Sequence, residues 1–418
     1  MDLEKIYAEG SILCNEKRYI EAAKVYTPAA EQGDAKAQYE LGCCLFYIRN
    51  EEDEDYILPQ SPEWYKKAAE QGYLPAMYKL GDCYYSELGI DKDYKKAAEW
   101  YRKAADLGHT AATYQLANCY ERGLGVEKNP EESFKWLKKV AEKGQAFHMS
   151  QLALAYATGF GSKKDDVKAV EWYDKAAAQD DPFSIFGLGL HYYSGEGVEQ
   201  DYGKAFELFR KATCLGYTDS YTWIGKCYLY GFGTEKDIEE GLKWYLKAAE
   251  ENDDTDAQRE LGDIFKYGLA DVPCNYDEAI KWYTKATEWN DEESLYELGL
   301  CHSLGLGVPL NKKKAVRYFR QAARWNHKEA IYELGECYFF GNGVKMNPKI
   351  GTKWYRKAAK LGHGGSMYTL AICYFDGKGV TQNRKKGLYW IEQYQEYYYL
   401  SDWQKRELTE KGIPFLDK

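Results

Sequence analysis

The chain has 418 residues, with 56 Lys+Arg against 66 Asp+Glu and a net charge of −10. That acidic balance argues against a nucleic-acid-binding protein, which presents a basic face to phosphate. A chain this long is two or three ordinary domains or one continuous array of repeats, and its 40 Tyr and 12 Trp favour a repeated aromatic slot.

Residues 2–14 and 19–32 read as a first helical hairpin, with Tyr19, Ala22, Ala23, Tyr26 and Ala29 on one face. It lacks the tryptophan and the glycine-rich loop of later units, so residues 1–33 are expected to form a capping hairpin. From residue 34 to 392 the chain repeats one sentence, best seen in Asp93-Tyr-Lys-Lys-Ala-Ala-Glu-Trp100-Tyr101-Arg-Lys-Ala-Ala-Asp-Leu-Gly108. Equivalent anchors fall at Val25, Trp64, Trp100, Trp136, Trp172, Leu208, Trp244, Trp282, Tyr318, Trp354 and Trp390. The spacing is 36 residues except for 39 at the first step and 38 between Trp244 and Trp282. A fixed period of this length predicts an all-α solenoid of about eleven helix-turn-helix repeats.

Each unit predicts two helices. The first, helix A, carries an apolar stripe such as Ala112, Leu116, Cys119 and Tyr120. A Gly-x-Gly turn follows, from Gly123-Leu-Gly125 to Gly377-Lys-Gly379, where a tight reversal needs positive φ. The second, helix B, starts at a capping Asp or Asn: Asp93, Asn129, Asp165, Asp201, Asp237, Asn275, Asn311, Asn347 and Asn383. It ends at Gly33, Gly72, Gly108, Gly144, Asp180, Gly216, Asn252, Asn290, Asn326 or Gly362, residues that tolerate a left-handed cap. Insertions fall in loops, the longest being the acidic stretch 49–61, read as a solvated loop. After Trp390 the run Gln393–Leu400 predicts an extended final helix, with residues 393–418 as C-terminal cap and tail.

Seven of the eleven cysteines (Cys44, Cys83, Cys119, Cys227, Cys301, Cys337, Cys373) occupy one helix-A slot and are expected to be buried structural thiols. No Cys-x-x-Cys occurs, and no zinc site is expected. The Gly-x-Gly turns follow helices and lack the third glycine of a phosphate loop. His109, His327 and His363 share one repeated turn position, and no catalytic constellation emerges. No catalytic residue, metal or cofactor is therefore expected. The first residues show no basic stretch leading into an apolar run, no segment reaches the roughly 20 apolar residues that cross a bilayer, and no Asn-x-Ser/Thr sequon occurs. The expected compartment is the cytoplasm, without membrane insertion.

The order A-x-Y-x-L-G-x-x-Y-x-x-G-x-G-V, then Asp/Asn, then A-x-x-W/Y-Y-x-K-A-A resembles the Sel-one-like repeat (SLR) family, relatives of tetratricopeptide repeats, across residues 20–392. Good instances are Tyr78-Lys-Leu80-Gly81-Asp-Cys-Tyr84 and Trp100-Tyr101-Arg-Lys-Ala104-Ala105. The resemblance implies α/α hairpins in a right-handed superhelix and a role as adaptor or scaffold. A secreted branch of the family pairs two cysteines within each repeat; here Ala105, Ala177, Ala249, Ala323 and Ala359 stand where the second would be.

Partner choice should reside where the copies differ. On helix A these are the positions one before, two after and six after the Leu of the Leu-Gly pair, which lie on one stripe. The middle of the chain offers Leu154, Leu190, Trp223, Lys226 and Tyr230 there. Later repeats offer Glu260, Asp263, Tyr267, Glu297, Glu333, Glu336 and Phe340. The expectation is a non-enzymatic adaptor, monomeric or weakly oligomeric, that holds a protein or peptide with a basic segment in a helix-A groove. The alternative is an exported host-interaction, virulence or regulatory protein of the same fold.

Overall fold

The computed structural model describes residues 2–48 and 60–416, and the acidic stretch at 49–59 lies outside them. These residues form helices and turns, with no strand among them. They group into two compact units, Met1–Tyr217 and Thr218–Lys418.

The first unit is an α/α solenoid of six hairpins. These are α1 (Leu3–Asn15) with α2 (Tyr19–Glu31), α3 (Ala35–Tyr47) with α4 (Gln60–Glu70), and α5 (Leu74–Ser86) with α6 (Tyr94–Asp106). There follow α7 (Thr110–Arg122) with α8 (Pro130–Ala141), α9 (Ala146–Thr158) with α10 (Asp166–Ala177), and α11 (Pro182–Ser194) with α12 (Tyr202–Cys214). The second unit continues the pattern with α13 (Ser220–Tyr230) and α14 (Ile238–Glu251), then α15 (Thr255–Tyr267) and α16 (Tyr276–Ala286). Next come α17 (Glu292–Leu304) with α18 (Lys312–Ala322), α19 (Lys328–Phe340) with α20 (Pro348–Lys360), and α21 (Gly364–Asp376) with α22 (Arg384–Tyr397). A last helix, α23 (Asp402–Glu410), follows.

Local chemistry sets these boundaries. All nine expected Asp and Asn caps accept the amide three residues on, as Asp93 does from Lys96 and Asn383 from Lys386. The left-handed residue closing helix B is found as expected from Gly33 to Gly362, with one correction. Asn252 stays at φ −104°, and the inserted Asp253 takes φ +50° instead. The second glycine of the Gly-x-Gly turn also serves stacking: a Cβ on Gly125 would lie 1.9 Å from the Tyr94 carbonyl oxygen of the preceding repeat. Only glycine lets the turn sit on that helix start.

The core is built by the residue after the anchor. Tyr65, Tyr101, Tyr173, Phe209, Tyr245, Tyr283, Phe319 and Tyr355 are buried, whereas most of the Trp anchors are half-buried. The Leu-Gly glycine exists for that ring, since a Cβ on Gly335 would lie 2.4 Å from Tyr355. The half-buried Trp has its own partner in the Lys three residues later: Lys67 sits 3.9 Å over Trp64 and Lys103 4.0 Å over Trp100. The seven cysteines of the repeated slot are buried, and all eleven are free thiols.

The C-terminus departs from expectation. α22 stops at Tyr397 because Tyr398 turns extended and donates its hydroxyl to the Gly362 carbonyl at 2.9 Å. Ser401 and Gln404 then form a capping box that starts α23, which packs through Leu408 and a 2.6 Å bond from Tyr368 to Glu407.

Candidate functional site

The variable helix-A positions fall into three chemical states. Of the first unit's expected residues, Leu154 is exposed and lines a cleft of about 220 Å³ with Tyr114, Asn118, Gln151 and Phe160, while Leu190 is half-buried. The second unit carries the rest.

The first state is internal pairing. Trp223 is half-buried, with the Lys226 ammonium 5.3 Å over its ring, and Lys226 also lies 3.8 Å from Glu260. Glu260 further accepts the Tyr245 hydroxyl at 2.6 Å. Glu297 is 6 % exposed, so it is not open groove charge: it is paired with Lys266, also 6 % exposed, and accepts from the Tyr267 hydroxyl at 3.1 Å. Lys266 was missed from sequence. The signal was a lysine at the position five after the Leu, where Leu229 and Phe339 are buried in other repeats.

The second state follows a rule. Tyr283 donates to Asp263 at 2.7 Å, Tyr355 to Glu336 at 2.5 Å and Tyr101 to Asp82 at 2.8 Å. Each carboxylate stands two after the Leu in its own hairpin and accepts the hydroxyl of the core tyrosine. Where the core ring is Phe209 or Phe319, that position is Leu190 or Leu300. Three tyrosine hairpins depart from this rule: Cys43 stands there opposite Tyr65, Leu154 opposite Tyr173 and Lys226 opposite Tyr245, whose hydroxyl goes to Glu260 of the next hairpin instead. Burial pushes the Asp263 carboxyl up, opposed by the Tyr283 bond.

The third state is open. Glu333 is half-buried, has no salt-bridge partner among the described residues, and is pushed up to about 7 by burial first and by Glu336 second. Alongside it, the position six after the Leu is apolar and exposed in four successive hairpins: Tyr230 at 38 %, Tyr267 at 53 %, Leu304 at 62 % and Phe340 at 55 %. Leu304 was also missed, although it stands six after Leu298 in the same row as Tyr230, Tyr267 and Phe340.

The three repeated histidines are N-caps. The Nδ1 atoms of His109, His327 and His363 accept the amides of Ala112, Ala330 and Ser366 at 3.0–3.1 Å. Their rings stack on Tyr78, Tyr296 and Tyr332 of the preceding repeat at 4.7–4.8 Å. Asp166, His191 and Glu196 bring possible ligand atoms within 4.8 Å of one another. Lys164 already pairs with both carboxylates, at 3.2 Å from Asp166 and 3.4 Å from Glu196, and His191 Nδ1 lies 2.8 Å from the Glu196 carbonyl oxygen. No described helix is long and apolar enough to cross a membrane.

The chain belongs to the Sel1 repeat family, whose profile matches residues 35–47, 63–73, 74–109, 110–145, 148–181, 182–217, 218–253, 255–288, 292–326, 328–363 and 365–393. It is similar to a protective antigen of uropathogenic Escherichia coli, c5321, whose crystal structure displays an SLR fold. Identity is 30 % and the TM-score 0.60, over 94 % of this chain and 84 % of that one. It is also similar to the Sel1 repeat protein from Oxalobacter formigenes, at 27 % identity and a TM-score of 0.60, over 75 % of this chain and 89 % of that one. No curated protein matches the chain. Proteins of this family generally mediate protein–protein interaction, and the scaffold is typically non-catalytic.

Proposed function

We propose that this Sel1-repeat chain is an adaptor whose second unit holds a segment of a partner protein on its helix-A face. The apolar side chains of the segment lie on Tyr230, Tyr267, Leu304 and Phe340, and a Lys or Arg meets Glu333 and Glu336. The observation that carries this reading is the exposed row itself. Isolated apolar residues on a surface are ordinary, but four in register on successive hairpins form a patch of the kind that marks an interaction site. Glu333 adds a direction, because a half-buried carboxyl beside a second carboxyl is stabilised by an incoming cation. Trp223 and Glu260 recede, since Lys226 already joins them. We place the protein in the cytoplasm, a reading supported by its eleven free thiols.

Affinity purification with mass spectrometry tests the proposal. The main partner of the wild-type protein should be lost, by tenfold or more in affinity, from a Tyr267→Ala/Leu304→Ala/Phe340→Ala variant with unchanged helical circular dichroism. Arg122→Ala/Thr158→Ala, at the same positions of the first unit, should retain it. Equal capture by both variants would remove the row from the interface. Glu333→Gln separates binding from folding by sign. A carboxyl raised to about 7 from an unfolded value near 4.3 costs stability that grows as pH rises through that interval. The glutamine variant should therefore be more stable than wild type at pH 8, by on the order of 1 kcal/mol, while binding the basic segment more weakly.

A second reading, an exported host-facing protein, is favoured by the similarity to a protective antigen. Cell fractionation decides between the two compartments.

A further inference from the structure

Two thiols at the N-terminal end are the closest cysteine pair among the described contacts. Cys14, in the last turn of α1, and Cys44, in the repeated cysteine slot of α3, place their Sγ atoms 3.6 Å apart although 30 residues separate them in sequence. Cys14 is partly exposed and Cys44 buried, so the pair has one reachable member and one screened member. The other six cysteines of the slot, such as Cys83 and Cys119, are also buried, and none of them makes a sulfur–sulfur contact like this one among the described residues. Cys43, next in the chain to Cys44, points elsewhere and accepts from the Tyr65 hydroxyl at 3.5 Å.

We propose that Cys14 and Cys44 form a reversible disulfide that staples the first hairpin to the second, with a low-molecular-weight disulfide such as oxidised glutathione as oxidant. Sulfur atoms in van der Waals contact need a shift of about 1.5 Å to reach bonding distance, which side-chain rotation and a small movement of α1 supply. The Cys14 thiolate attacks one sulfur of the oxidant, forming a mixed disulfide and releasing one thiolate. The Cys44 thiolate then attacks the Cys14 sulfur, forming the protein disulfide and releasing the second thiolate. Two protein thiols lose two electrons and two protons, and one glutathione disulfide becomes two glutathiones. Burial pushes the Cys44 thiol up, which makes the second attack the slower one. The consequence is local: α1, packed on α2 and touching α3 through the Tyr7 hydroxyl bond to Asp34, becomes covalently joined to α3, and its fraying is restricted.

The test uses the full chain equilibrated with reduced and oxidised glutathione at set ratios, quenched by alkylation and mapped by peptide mass spectrometry. The exposed Cys214 and Cys274 report simple glutathione adducts in the same sample. The expected result is a Cys14–Cys44 cross-linked peptide that returns to two free thiols on adding reduced glutathione. With it, hydrogen exchange of the α1 amides should slow severalfold, and the Cys14→Ser variant should show neither change. Three outcomes overturn the proposal: Cys14 and Cys44 both alkylated at every ratio, Cys14 trapped only as its glutathione adduct, or Cys14 linked to Cys43.

Discussion

The helix-A faces of the two units share one scaffold and differ in chemistry. At the position six after the Leu, the first unit carries the exposed Tyr47 and then Ser86, Arg122, Thr158 and Ser194 in successive hairpins; the second carries Tyr230, Tyr267, Leu304 and Phe340 before ending on Asp376. At the neighbouring variable positions α7, α9 and α11 offer Gln115, Asn118, Gln151, Leu154, Gly187 and Leu190, all uncharged, whereas α15, α17 and α19 offer Glu260, Asp263, Glu297, Glu333 and Glu336. The packing residues do not change with the face, as Tyr101 and Tyr355 are equally buried. A repeat thus separates two tasks, and a surface can be rewritten in one unit without disturbing the stack. The difference also shows that charge on the face is not the same as charge available to a partner.

The buried pair Lys266–Glu297 is the sharpest instance, and it gives the largest expected effect on folding. Removing one member leaves the other buried without its counter-charge, which costs about 3–5 kcal/mol. Lys266→Met should therefore accelerate hydrogen exchange through α15 to α17 while the first unit keeps its protection. The double variant Lys266→Met/Glu297→Leu should recover at least half of the loss, because it leaves neither charge buried alone and the position of Lys266 holds the buried Leu229 and Phe339 in other hairpins. If the single variant is neutral, Glu297 is open charge after all, and the acidic face of the second unit is larger than the pairing indicates.

Much of this was legible in the sequence, for a physical reason. The period, the nine helix-B caps and the glycine turns are local signals, each decided within a few residues and repeated in most copies. What escaped were relations between helices. The Trp of the box marks the period, yet the ring after it is the one buried throughout, because only that ring meets the Leu-Gly glycine across the hairpin. Variation at the position two after the Leu was read as partner choice. Aligning the copies shows it following the core ring in five hairpins, Asp82 with Tyr101, Asp263 with Tyr283 and Glu336 with Tyr355, against Leu190 with Phe209 and Leu300 with Phe319, while Cys43, Leu154 and Lys226 stand opposite tyrosines without an acid. Lys266 and Leu304 were equally visible as letters, and their meaning came only from what they face.

That pairing rule predicts a smaller effect of either sign. Tyr283→Phe strips the hydroxyl from Asp263, a carboxyl that burial already raises, and should cost about 1–2 kcal/mol. Adding Asp263→Leu should return most of it, since Phe with Leu is the combination found in two other hairpins. A double-mutant cycle by urea denaturation should give a coupling of about 1 kcal/mol or more. Additive single effects would mean that the acid and the ring vary independently, and Asp263 would return to the partner-facing set.

The smallest effect tests what the two units have in common. His109 in the first and His363 in the second cap helix A through Nδ1, which can accept an amide proton only in the neutral imidazole. Burial holds both groups below the ordinary histidine value, assisted at His109 by Lys143 and at His363 by Lys328, and opposed at His363 by Glu329. A depressed folded value means that the unfolded chain binds the proton more readily. The stabilisation is therefore complete above about pH 6.5 and is lost as pH falls through the folded value. Asn in either place accepts the same amide without titrating there, as Asp34 and Asp181 do at equivalent turns. His109→Asn and His363→Asn should each flatten the stability profile between pH 7 and 5, each by less than about 1 kcal/mol. Hydrogen exchange resolves the effect at α7 in one case and at α21 in the other. Similar flattening in both would place the cap among the features the two units share; flattening in one alone would show that Lys143 or Glu329, and not the capping bond, governs the proton.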